Sequence, residues 1–175
     1  MEKRYSIGEK VIYSQSGVCQ IVDITESEFY GEKTEYYVLR PVYDSGSLVY
    51  VPTDNVLLVS RIRCAMTRDE VGDLIDYMSS AENIWIDNDN KRKEAYAAIL
   101  LENKPERITE MISTLRCRRE EQKLKKKRLH ISDEHFLERA QRILGDEISF
   151  VLGLDREDVD SYITSRLTQD NVKDA

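Results

Sequence analysis

Two neighbouring stretches, Ser47-Leu-Val-Tyr-Val-Pro52 and Thr67-Arg-Asp-Glu-Val-Gly-Asp-Leu-Ile-Asp-Tyr-Met78, decide how the 175-residue chain is built. The first is short, aromatic and β-branched, follows Asp44-Ser-Gly46, and ends in a proline that removes a ladder donor, so it reads as a strand closing a hairpin. The second opens with the capping-box pattern Thr67-x-x-Glu70 and then places Val71, Leu74, Ile75 and Met78 at helical spacing. The apolar period thus changes from two to about 3.6 after Val59. A strand-rich segment is followed by a helical one, which predicts an α+β chain of two domains, residues 1–62 and 63–175.

Toward the N-terminus, Lys10–Ser14 and Val18–Ile24 are β-branched runs separated by Gly17, and Thr34–Arg40 follows a turn at Tyr30-Gly31. Four or five short strands within sixty residues cannot make an extended sandwich; they predict a small, strongly bent sheet or barrel of the SH3 or Tudor kind. Toward the C-terminus, a break at Ser79-Ser80 leads to Trp85. A second helix is expected from about Asn90 through Tyr96, Ile99 and Leu100. Pro105 suits the first turn of a third helix, with Ile108, Met111, Ile112 and Leu115 on one face, continuing into Arg116–Arg128. A fourth, starting at Ser132 with Asp133 and Glu134 in its first turn, buries Phe136, Leu137, Ala140, Ile143, Leu144, Ile148 and Val151 until Gly153 ends it. Asp155 then caps a short last helix carrying Val159 and Ile163, and the residues after Leu167 read as frayed.

Charge narrows the function classes. With 26 Lys and Arg against 33 Asp and Glu, the net charge is -7, which excludes nucleic-acid binding through uniform positive charge. The distribution is uneven: residues 1–60 carry -4, 61–84 carry -2, 85–128 carry +5 and 129–175 carry -6. One basic stretch lies inside an acidic protein. No apolar run reaches the roughly 18 residues of a membrane span and the start has no signal-peptide character, so a soluble, cytoplasmic protein with no membrane partner is expected. Cys19, Cys64 and Cys117 are odd in number and far apart, which predicts buried thiols rather than a disulfide framework or a zinc site. His130 and His135 do not share a helical face, phosphate-cradle and nucleophile-elbow motifs are missing, and no catalytic residue, metal or cofactor is expected.

Three features suit binding. Tyr13, Tyr30, Tyr36, Tyr37, Tyr43 and Tyr50 lie in the barrel segment, where they either form an aromatic cage for a methylated cation or fill half-buried strand positions. A barrel this small has an open edge that can accept a partner's strand. Trp85, in the apolar island Ile84-Trp-Ile86, precedes Lys91-Arg-Lys93 and the run Arg116–Arg128, which holds 8 basic and 2 acidic residues. A tryptophan beside cations is either core or a wedge for a distorted minor groove.

Ser6-Ile-Gly-Glu-Lys-Val-Ile-Tyr13, Ser16-Gly-Val18, Gly31-Glu-Lys-Thr-Glu-Tyr-Tyr-Val-Leu39 and Val51-Pro-Thr-Asp-Asn55 resemble the CarD family of bacterial transcription regulators and the RNA-polymerase-interacting domain of the transcription-repair coupling factor. Trp85, the basic helix after it and Leu129-His-Ile-Ser-Asp-Glu-His-Phe136 with Ala140 and Leu144 look like that family's C-terminal domain. The resemblance implies a monomeric, non-enzymatic regulator, brought to the nucleoid by RNA polymerase. Its barrel binds the polymerase β-subunit by strand addition, and its helical domain touches promoter DNA at the upstream edge of the melted bubble. By the same resemblance Ser27, Tyr37, Leu39, Val49, Tyr50, Val51 and Pro52 face the polymerase. Trp85 wedges into the minor groove, and Lys91, Arg92, Lys93, Arg116, Arg118, Arg119 and Lys125 contact DNA. The chain departs from the family in placing Asp87 and Asp89 before the first cations and in carrying Ser27 and Tyr50 where some members have arginine. Two alternatives follow: a polymerase-tethered adaptor whose helical domain binds another protein, and a Tudor-type reader of modified residues.

Overall fold

The computed structural model describes residues 5–29, 32–44 and 46–173. They form two compact units, Met1–Ala65 and Met66–Ala175. The turn expected at Tyr30-Gly31, with Tyr30 itself, and the central residue of the expected hairpin turn, Ser45, lie outside the described residues.

The first unit is an antiparallel sheet of β1 (Lys10–Tyr13), β2 (Gly17–Phe29), β3 (Glu32–Pro41), β4 (Val49–Pro52) and β5 (Ile62–Cys64). The strands lie in the order β4-β3-β2-β1-β5. The small, bent, barrel-like sheet is as expected, and it does not close. Its two terminal strands have four and three residues, too short for the staggered pairing that closure demands. β5 was not foreseen, and the expected boundary after residue 62 falls inside it. Between β4 and β5 the chain makes one helical turn, α1 (Val56–Val59), capped by the Asn55 side chain.

Alternation decides which side chains go inward. Tyr5, Val11, Cys19, Ile21, Tyr37, Leu39, Val51 and Ile62 form one apolar core. A β-bulge between Ile21 and Asp23 shifts the phase of β2, so that Ile24 rather than Asp23 packs on the same core. Tyr5 donates its hydroxyl to the Ile62 carbonyl at 2.8 Å, fastening the N-terminal segment to β5. Burial pushes the Cys19 thiol up to about 12. Cys64 and Cys117 are exposed, which corrects the expectation that all three thiols are buried: β5 is a sheet edge, and Cys117 lies on the charged part of its helix.

The second unit comprises α2 (Arg68–Met78), α3 (Asp89–Glu102), α4 (Pro105–Leu124), α5 (Ile131–Leu152) and α6 (Val159–Lys173). Thr67 and Glu70 close the expected capping box on α2, and Pro105 occupies the first turn of α4. The fourth helix begins at Ile131 with the His130 ring as its cap, not at Ser132. Gly153, left-handed at φ 70°, ends it as expected. Asp155 opens a single 3-10 turn, Arg156–Asp158, and not the last helix; that helix starts at Val159 and stays helical to Lys173, past the point expected to fray. Ile75, Tyr96, Leu100, Ile108, Met111, Leu115, Leu137, Ala140 and Ile148 lie at the centre of the helical core. Each of its Ile, Leu and Met members contributes about 1.5–3 kcal/mol by leaving water. Among the described residues no helix is long and apolar enough to cross a membrane.

Candidate functional site

On the sheet unit, β4 is a terminal strand paired on one side only, with β3. Its register sets Val49 against Leu39, Tyr50 against Val38, Val51 against Tyr37 and Pro52 against Tyr36. The Thr53 N–H donates to the Glu35 carbonyl at 2.9 Å, which continues that ladder by one rung. Of the residues expected to face a polymerase, Tyr37, Leu39 and Val51 are buried core side chains. Val49 packs against the same core. Ser27 is half-buried on β2 opposite Thr34. Tyr50 is the exposed one, at 44%, and meets Tyr36 edge-to-face at 6.2 Å. Val56 and Leu57 of the adjoining α1 turn are also exposed. Tyr37 instead meets Tyr5 inside the core, so among the described residues Tyr37 and the Tyr36–Tyr50 pair lie on opposite faces of the sheet.

On the helical unit, Trp85 lies in the irregular segment between α2 and α3. It is half-buried and packs against the helical core. Its backbone N–H donates to Asn83 Oδ1 at 3.0 Å and its indole N–H to Asp87 Oδ1 at 2.9 Å. One residue earlier, the Ile84 N–H donates to the buried Thr114 hydroxyl of α4 at 2.9 Å. Two guanidinium groups cover the ring, that of Arg92 at 4.1 Å and that of Arg118 at 4.7 Å from its centroid.

Arg92 was expected among the phosphate contacts, but its side chain is 2% exposed. Nε and Nη2 grip Asp133 of α5 in a fork at 3.1 and 2.9 Å. Nη2 also reaches Asp89 at 2.7 Å, and Nη1 donates to the Ile86 carbonyl at 2.7 Å and the Asp87 carbonyl at 3.4 Å. All five guanidinium donors therefore have acceptors within the fold. Burial pulls the Arg92 pKa down, but Asp133 and Asp89 outweigh it and the net shift is upward. The same contact with Arg92 holds the Asp89 carboxyl below its ordinary value.

The other cations remain nearer to solvent. Lys91 and Lys125 are exposed and Lys93 is half-exposed. Arg118 pairs with Glu121 at 2.8 Å, Arg116 reaches Asp160 at 3.5 Å, and Arg119 lies 3.9 Å from Glu134. Much of the positive charge of α4 is thus balanced within its own helix or by α5 and α6. Sequence reasoning missed Asp133, Asp87 and Thr114, which fix the Trp85 segment. A signal for the first existed: Arg92 shares a helical stripe with Tyr96, Ile99 and Leu100, which places a cation on a buried face where it demands a carboxylate. Among the described residues no group of acidic, cysteine and histidine side chains could hold a metal ion.

No curated protein sequence matches the chain. Residues 5–63 match the family model described as the CarD-like/TRCF RID domain. The matched span begins at Tyr5, whose hydroxyl ties to β5, and ends within β5 itself, so it covers the sheet unit from one fastening to the other. That family consists of RNA-polymerase-interacting domains and points to a role associated with transcription. The sheet unit, with its open β4 edge, is the part of the chain that resembles the CarD-like/TRCF RID domain family.

Proposed function

We propose that the protein is a non-enzymatic transcription regulator that docks on the RNA polymerase β-subunit through β4 and stabilises the open promoter through its helical unit. The family match over residues 5–63, joined to a terminal strand that pairs on one side only, carries the reading. An edge strand gives a partner strand main-chain hydrogen bonds, and Tyr50 supplies an exposed aromatic anchor beside it. Val49, Val51, Tyr37 and Leu39 serve the interface by holding that edge in shape, Pro52 ends the edge strand, and Ser27 lies two strands away on β2.

In this reading Trp85 is the minor-groove wedge at the upstream edge of the bubble, and Arg118, Lys91, Lys93 and Lys125 supply phosphate contacts, with Arg116 and Arg119 nearby. Arg92 drops out of the contact set because its donors are already taken. A stabilisation of about 1.4 kcal/mol shifts the closed-to-open equilibrium tenfold, so a single wedge is sufficient. The test is the lifetime of the open complex with the full chain: Trp85→Ala shortens it while polymerase capture persists. An unchanged lifetime removes the wedge, and failure of the intact chain to capture core polymerase removes the whole reading.

A second reading is favoured by one observation: Trp85 is half-buried under two arginines and most of the α4 cations are paired. This suits an adaptor whose helical unit binds a protein. Changing Lys91, Lys93 and Arg118 together to Glu separates the two, because only the DNA role predicts a loss of salt-sensitive promoter contact.

A further inference from the structure

We propose that Arg92 and Asp133 are positioning residues for Trp85, a buried ion pair that fixes the indole in one pose on the surface of the helical unit. As a statement about the wedge this rests on the function proposed above; as a statement about the ring it does not.

The geometry assigns the two parts of the Arg92 guanidinium different work. Its edge is consumed by five acceptors, and two of these, the Ile86 and Asp87 carbonyls, belong to the two residues that follow Trp85. Its face is left for the indole ring, 4.1 Å from the centroid. Asp133 grips the edge through two parallel hydrogen bonds, so the plane of the guanidinium cannot turn without breaking the fork. Asp133 is itself 1% exposed and sits in the first turn of a 22-residue helix. The orientation of α5 is thereby passed to the plane of Arg92, and from that plane to the ring.

Before the ring, the segment is held by Ile84 on Thr114. After it, Arg92 holds the segment, and Asp87 fixes the indole N–H. A large aromatic side chain on a segment without regular structure would otherwise sample several rotamers, and binding would have to order it. Here that ordering is built in before any partner arrives. Lysine cannot replace Arg92, since an ammonium has three donors, no fork and no flat face to stack. Arg118 covers the ring from α4, but it is 33% exposed and holds none of the segment's carbonyls, so it adds contact without setting the pose.

Trp85 is the single tryptophan of the chain, so its emission reports the pose directly. In the full-length protein, Arg92→Lys is expected to enlarge the released population of the ring about five-fold, equivalent to about 1 kcal/mol. The change reads out as red-shifted emission, stronger acrylamide quenching and lower anisotropy, with circular dichroism unchanged. Arg118→Ala should move these signals less. A folded Arg92→Lys protein whose quenching and anisotropy match the parent overturns the proposal. A second measurement needs no variant of the ion pair: in the parent protein the Arg92 Nε–H resonance is shifted upfield by the indole ring current, and Trp85→Leu abolishes the shift. Absence of that shift overturns the proposal even if Arg92→Lys fails to fold. In the open-complex assay Arg92→Lys shortens the lifetime as Trp85→Ala does. If both variants leave the lifetime unchanged while the fluorescence responds, the wedge reading fails and the positioning role stands.

Discussion

The two units solve the problem of irregular backbone in opposite ways. In the sheet unit the core cluster is apolar and aromatic, and among the described residues the backbone is held mainly by the ladder, with a bulge inside β2 and one helical turn before β5. In the helical unit, buried polar side chains reach out of helices to hold the segments between them: Arg92 takes the Ile86 carbonyl, Thr114 the Ile84 N–H, Glu147 the Met66 N–H and Ser149 the Leu154 carbonyl. A sheet satisfies its main chain across strands and leaves an edge over; helices satisfy theirs internally and leave the connections to side chains. Under the proposed function, this division carries over: the sheet unit offers a partner its backbone, and the helical unit a side chain held in place by others.

The sharpest way to break that contrast is Asp133→Ala. Leaving the buried Arg92 with only the exposed Asp89 as a carboxylate partner is expected to cost the helical unit up to about 3–5 kcal/mol. Trp85 emission in a denaturant titration measures the loss, and the reactivity of the Cys19 thiol, which tracks the sheet unit, should keep its midpoint. Leu39→Ala is the reciprocal experiment. A cavity at this fully buried position is expected to remove about 2–5 kcal/mol from the sheet unit alone, advancing Cys19 exposure and leaving the Trp85 midpoint in place.

In the untouched protein, a thiol reagent near neutral pH should modify Cys64 and Cys117 quickly and Cys19 only on unfolding. Its burial and a pKa pushed up to about 12 both withhold the thiolate. Tyr50→Ala is expected to be milder for the fold, about 0.5–1.5 kcal/mol for the lost ring contact with Tyr36. Its larger effect should be on polymerase capture, weakened about tenfold if the edge is the docking strand.

The smallest effect is that of acid on Asp89. Arg92 lowers its folded pKa below the ordinary 3.8. The contribution of Asp89 is therefore fully present above that value and is lost as pH falls through the folded pKa. Trp85 quenching should rise over that acidic window in the parent and begin from a raised plateau in Asp89→Ala.

The sequence displayed the units far better than the details that make them work. Thr67 with Glu70, Pro105 and Gly153 are local devices whose meaning is complete within a few residues, and each stands where its spacing predicted. β5 escaped notice because three residues, Ile62–Cys64, carry no period, and their pairing with β1 is settled about fifty residues away. The burial of Arg92 escaped notice for a related reason: it was expected to contact DNA beside Lys91 and Lys93, and the carboxylate that draws it inward, Asp133, lies 41 residues further on. Cys64 and Cys117 show the limit of composition: a free thiol is commonly buried, but a sheet edge and a charged helix expose these two.

Met66, the first residue of the helical unit, donates its N–H to the buried Glu147 at 2.9 Å, in the C-terminal third of α5. Any pull on the connecting chain therefore enters the bundle at its longest helix and not at the frayable start of α2. Two residues on, Arg68 fastens to the Leu152 carbonyl at the end of the same helix. Asp133 stands near the opposite end of α5, so the helix that takes up tension from the tether is also the one that orients Arg92 beneath the tryptophan. Within the helical unit, a single rod thus both anchors the entering chain and aims the tryptophan.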